Sequence, residues 1–150
     1  MAAARHPVPY ASWGVADNVD GRFDMIALHM FLVLDRLKGR EARFRQRLVD
    51  EFFADMDRSL REMGVGDVSV GKKVRKMAEA FYGRVAAYDA GLREGEDDLA
   101  AALNRNFFPG GGVGSAQQLA NYALAARAEL SRLTIESILS GKIDFPEPVP

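Results

Sequence analysis

Phe23-Asp24-Met25-Ile26-Ala27-Leu28-His29-Met30-Phe31-Leu32-Val33-Leu34-Asp35-Arg36-Leu37 is the stretch whose reading decides the fold. Phe23, Ile26, Met30, Leu34 and Leu37 recur at intervals of three and four, the period of an α-helix, with none of the alternation of a half-buried strand. Asp20 stands as the N-cap, the helix runs from about residue 22 to 37, and Gly39 ends it. The same helix carries a second apolar strip, Met25, Leu28 and Leu32, bounded by Asp24 and Asp35 on one side and by His29 and Arg36 on the other. Such a helix is either central, packed on two sides, or offers one apolar face to a partner.

The flanking sequence keeps the same period. Phe44, Leu48, Phe52, Met56, Leu60 and Met63 line one side of a helix from about Glu41 to Met63, closed by Gly64 and Gly66. A third helix begins after Ser69 with Val74, Met77, Phe81, Val85, Tyr88 and Leu92. A fourth opens on Glu96, Asp97 and Asp98, acids suited to the positive end of a helix dipole, and directs Leu99, Leu103 and Phe107 inward. Ser115 and Gln118 form a capping box for a fifth that continues through Leu119, Tyr122, Ala126, Leu130, Leu133 and Ile138 to Gly141. No segment has a clean strand-and-turn pattern. The expected fold is all-α, a single-domain bundle of about five principal helices with the first one central. Residues 1–19 form an extended N-terminal segment, 20–141 the helical domain, and 142–150 a Pro-rich extended tail.

Composition narrows the chemistry. The chain has 150 residues, 48% of them hydrophobic, with 20 basic and 21 acidic side chains and no cysteine. That size suffices for a core without disulfides, and the absence of cysteine excludes thiolate nucleophiles and zinc–thiolate sites. A net charge of −1 argues against dedicated DNA binding. No run approaches the ~20 apolar residues that span a bilayer.

Two motifs fail on mechanism. Gly66 to Lys73 comes close to a phosphate loop, but lysine replaces the hydroxyl that would hold Mg²⁺, and a helix rather than a buried strand precedes it. Asn18 to Gly21 resembles part of a calcium loop, yet Ala16 and Ala27 would fall at its first and twelfth ligand positions. His29 has only apolar neighbours one turn away, so nothing on its own helix orients it as a base. No cofactor, metal site or catalytic constellation is expected, and the chain reads as a non-enzyme. Two basic clusters remain: Arg36, Lys38, Arg40, Arg43, Arg45 and Arg47 around the first interhelical turn, and Lys72, Lys73, Arg75 and Lys76 in the first turns of the third helix. The latter oppose the helix dipole, a cost that an anionic partner would reverse.

Four words of sequence carry a family resemblance: Leu28-His29-Met30-Phe31-Leu32; Phe53-Ala54-Asp55-Met56-Asp57 with Leu60-Arg61; Phe81-Tyr82-Gly83-Arg84 leading to Ala87-Tyr88-Asp89-Ala90-Gly91-Leu92; and Leu99 to Phe108 with Asn104-Arg105-Asn106-Phe107-Phe108. In this order, over roughly residues 23 to 140, the set resembles the ubiquinol–cytochrome c chaperone family. His29, Gly83, Arg84, Tyr88, Asp89, Gly91, Arg105 and Asn106 are the family-motif residues.

The resemblance implies a non-enzymatic chaperone or assembly factor for cytochrome b and the cytochrome bc1 complex of the respiratory chain. Its implied partners are cytochrome b or another bc1 subunit, the ribosome, and a small partner protein. The chain lacks the long N-terminal extension of the mitochondrial members, so a bacterial relative is expected, in the cytoplasm and peripheral at the inner membrane. Met25, Leu28, Leu32, Phe107 and Phe108 are the expected apolar acceptor surface, and Lys72, Lys73, Arg75 and Lys76 the contact for ribosomal RNA or acidic lipid headgroups. The alternative is a general helical adaptor with an unrelated partner.

Overall fold

A computed structural model of the chain describes residues 2–150, with the side chain of Val113 left aside. Among these residues the structure is helix and connecting turn, with no strand. Seven α-helices follow a 3₁₀ turn at Ala3–Arg5: α1 (Pro7–Ala11), α2 (Val19–Arg36), α3 (Ala42–Glu62), α4 (Asp67–Glu94), α5 (Glu96–Phe107), α6 (Val113–Arg132) and α7 (Ile135–Leu139). The two helices beyond the expected five are the short ones. Within the segment expected to be extended, Pro7 supplies a preset φ at the start of α1, and His6 Nδ1 accepts the Val8 amide at 3.3 Å. The expected fifth helix stops at Leu133, whose ψ of 143° is extended, and α7 restarts behind Thr134, whose hydroxyl accepts the Ser137 amide at 3.1 Å. Met1 lies outside the described residues.

Caps also depart from expectation. Asn18, not Asp20, caps α2 by accepting the Gly21 amide at 2.9 Å. Gly21 is required there, since a Cβ would stand 1.9 Å from the Ala16 carbonyl oxygen. Gly112 rather than Ser115 precedes α6, with no side-chain cap, so the expected capping box does not form.

The described residues fall into two compact units. The first comprises residues 2–36 and 84–150. Its core includes Trp13, Met25, Leu28, Phe31, Leu32, Tyr88, Leu99, Leu103, Leu119, Ala123 and Leu130, all buried. In it the second strip of α2, Met25, Leu28 and Leu32, is core, while on the first strip Phe23 and Leu34 are buried and Ile26 and Met30 are only partly covered. Arg36 donates from Nε to the Leu130 carbonyl at 2.9 Å and from Nη2 to that of Leu133 at 2.8 Å. This first member of the basic cluster therefore satisfies the free carbonyls at the end of α6 rather than facing solvent. The Pro-rich tail has neither helix nor strand; Trp13 Nε1 donates to its Val149 carbonyl at 2.8 Å, and Pro148 is buried.

The second unit, residues 37–83, is a helical hairpin of α3 and the first half of α4. Phe52 and Phe53 of α3 meet Phe81 of α4 at ring-centroid distances of 5.4 and 5.6 Å. With a connection of only four residues, these contacts make the two helices antiparallel. Gly64, at φ +83°, turns the chain out of α3, and the amides of Val65 and Gly64 return to the carbonyls of Leu60 and Arg61.

Candidate functional site

Two polar groups sit inside the apolar interior of the first unit, both supplied by α2. His29, 7% exposed, donates from Nδ1 to the Met25 carbonyl at 2.7 Å, because a carbonyl only accepts. Its Nε2 is then the acceptor for the Tyr122 hydroxyl of α6 at 2.8 Å. The Phe145 ring of the tail stands edge-on to the imidazole at 4.8 Å. Burial pushes the His29 pKa down to about 4, against the raising effect of the Met25 carbonyl, and pushes the Tyr122 phenol up to about 12. With both ring nitrogens engaged, this imidazole has no lone pair left for a metal and no free base for a substrate.

One turn earlier, Asp24 meets Arg84 of α4 at 2.6 Å, with side chains only 8% and 17% exposed. Arg84 also lies over the Phe23 ring, 5.5 Å from its centroid. Burial raises the Asp24 pKa to about 6, and the Arg84 charge opposes that rise. The Tyr88 phenol, one turn along α4, is raised above its ordinary range by burial and by Asp24, with Arg84 and Asn106 acting the other way. Phe31 packs edge-on against the same ring at 5.5 Å. This is an ion pair at the edge of the interior, flanked by the Phe23 and Tyr88 rings.

The expected apolar acceptor surface is not a surface. Met25 and Leu28 are 0% exposed, Leu32 1%, Phe107 7% and Phe108 8%. The physical reason lies in α5 and α6, which bring Leu103, Leu119, Ala123 and Leu130 into one core with the second strip of α2. By contrast, Lys72, Lys73, Arg75 and Lys76 are all exposed, and none of the four makes an ion pair among the described residues. The phosphate-loop look-alike around them is the hairpin turn and the first turns of α4, which starts at Asp67 instead of after Ser69. Among the described residues no cluster of histidine, aspartate or glutamate is placed to hold a metal ion, and no helix is long and apolar enough to cross a membrane.

The sequence profile of the ubiquinol–cytochrome C chaperone family matches residues 11–145. The chain belongs to that family. It is 32% identical over 93 residues to ubiquinol-cytochrome-c reductase complex assembly factor 1 of Xenopus laevis, a match covering 60% of this chain and 46% of the relative. The Mus musculus protein of the same description is 33% identical over 95 residues, covering 61% and 32%. The chain thus matches less than half the length of these relatives. In fold it is similar to the crystal structure of the Cbp3 homolog from Brucella abortus, with a TM-score of 0.85 and 42% identity, covering 97% of this chain and 83% of that one.

Most of the ubiquinol–cytochrome c chaperone motif residues lie in the first unit, where they do structural work. His29, Arg84 and Tyr88 make the two interior polar groups. Gly91 is where α4 and α5 come closest, since a Cβ there would lie 2.8 Å from the Leu99 Cα. Asp89 pairs with Arg93 at 3.5 Å, and Asn106 Nδ2 donates to the Ala102 carbonyl at 2.9 Å. Arg105 is exposed on α5. Gly83 differs: nothing lies within 4 Å of its Cβ position, so close packing is not what it serves. Asp24 and Tyr122, which complete the polar groups, carry no motif signal; an acid inside an apolar helix and a tyrosine in the apolar stripe of α6, 93 positions from its His, are their only sequence traces.

Proposed function

We propose that this chain is a non-enzymatic assembly factor for the ubiquinol–cytochrome c reductase (bc1) complex, acting on newly made cytochrome b. The observation that carries the reading is the fold and sequence likeness over nearly the whole chain to a family described as chaperones of this complex. The client contact then falls on exposed surface, because the second strip of α2 is core. Contacts with a ribosome and a small partner protein belong to the same proposal, as does a location peripheral to the inner membrane of a bacterium.

Deletion of the gene tests the reading directly. Assembled bc1 complex, measured on native gels, and the haem absorbance of cytochrome b should both fall, and re-expression of the chain should restore them. Unchanged bc1 content in the deletion strain would refute the assembly role and leave a general helical adaptor as the better description.

A further inference from the structure

The turn joining α3 to α4 carries apolar side chains that the hairpin does not use. Val68 is 84% exposed, the highest value among the large apolar residues described, and Met63 is 57% exposed. Single exposed apolar residues are ordinary, but Met63 opens the four-residue connection that also holds the half-buried Val65, and Val68 stands in the first turn of α4 just beyond it. Down α4, helical spacing sets Val68, Lys72, Arg75 and Lys76 on one face, opposite Val70, Val74, Met77 and Phe81, with Lys73 beside it. At 1.5 Å per residue these cations lie about 6–12 Å behind Val68 along the helix. Arg58 and Arg61 on α3 are engaged by Asp55 and by Asp57 and Asp67, whereas Lys72, Lys73, Arg75 and Lys76 make no ion pair among the described residues; Glu79 follows on the same face, further from the turn. Residues 37–83 hold 11 basic and 8 acidic side chains, against 9 and 13 in the rest of the chain.

We propose that the α3–α4 turn docks on an anionic lipid bilayer, Met63 and Val68 entering the headgroup boundary while Lys72, Lys73, Arg75 and Lys76 meet the phosphates. The layering fits: interfacial segments sink apolar side chains about 5–10 Å past the headgroups, and lysine and arginine stems reach back to the charged layer. Ribosomal RNA has the same charge, but its duplexes are met through phosphates and 2′-hydroxyls and its unpaired bases through aromatic platforms; residues 63–76 contain no aromatic, and neither mode uses exposed aliphatic side chains. Aliphatic tips would gain nothing there. The surface would place the chaperone where a membrane-embedded client emerges, so the biological meaning rests on the assembly role, although the docking itself does not.

Flotation of the full chain with vesicles tests this. Wild type should float with phosphatidylcholine–phosphatidylglycerol vesicles and not with phosphatidylcholine alone, and added salt should weaken it. K72E/K73E/K76E and M63D/V68D should each reduce partitioning at least about tenfold, with unchanged circular dichroism because all five positions are exposed. Failure of wild type to float with anionic vesicles would overturn the proposal, as would M63D/V68D binding like wild type, or cosedimentation with ribosomes in place of vesicles. If gene deletion leaves bc1 content intact while flotation behaves as expected, the assembly role falls and the docking surface stands. If deletion depletes bc1 and wild type does not float, the reverse holds.

Discussion

Asp24 and His29 lie five residues apart on α2 and titrate against each other. His29 is held neutral in the fold, with a pKa of about 4 against an ordinary 6.5, so its contribution is complete above pH 6.5 and is lost as pH falls through 4. Asp24 is the reverse: its pKa is about 6 against an ordinary 3.8, so folding favours the protonated acid. Its contribution is complete below pH 3.8 and is lost as pH rises through 6. Between those limits the two slopes oppose. Asp24→Asn removes one of them, and the variant should gain stability relative to wild type by up to about 3 kcal/mol as pH rises from 4 to 6. Urea unfolding at a series of pH values measures this; parallel profiles for the two proteins would show that Asp24 does not titrate in this window. The pairing of Asp24 with Arg84 was not readable in the sequence. An acid in an apolar run marks the edge of a strip equally well whether it faces water or an arginine 60 residues away.

At the scale of elements, α4 carries two glycines with opposite roles. Gly83 stands in open space inside a helix of 28 residues, where glycine is about 0.5–1 kcal/mol worse than alanine. Gly83→Ala should therefore stabilise the chain by that amount. Gly91→Ala forces a Cβ against the α5 backbone and should destabilise by about 1–3 kcal/mol, the ordinary cost of overpacking. Denaturant midpoints compare the two, and a loss of stability in Gly83→Ala would contradict the open space around it. The helices themselves were legible because their apolar residues keep a three-to-four spacing over several turns. The break at Leu133 was not, since Leu130, Leu133 and Ile138 continue that spacing across it. Nor does periodicity say what covers a second apolar strip: Met25, Leu28 and Leu32 read alike as interface or as core, and only the placement of α5 and α6 decides for core. Met63 and Val68 were hidden for the opposite reason. One continues the core stripe of α3 and the other stands beside a glycine-rich turn, so neither stands out until the hairpin leaves both in solvent.

At the scale of the whole molecule, the two ends of the chain are fastened within one unit. Trp13 is 1% exposed, and its indole nitrogen is bound to the carbonyl of a residue 136 positions later. It is also the only tryptophan among the 150 residues. The ring is therefore a built-in optical gauge of whether the C-terminal segment is seated. Excited at the indole band, the intact chain should emit at the short wavelengths of a dry environment. Removal of residues 142–150 should move the maximum to the red, as water reaches the freed N–H. An unshifted maximum after truncation would mean that the helices alone keep the indole dry. The same signal, followed while a client or a vesicle is added, would report whether occupation of another surface unseats the tail, with no label attached.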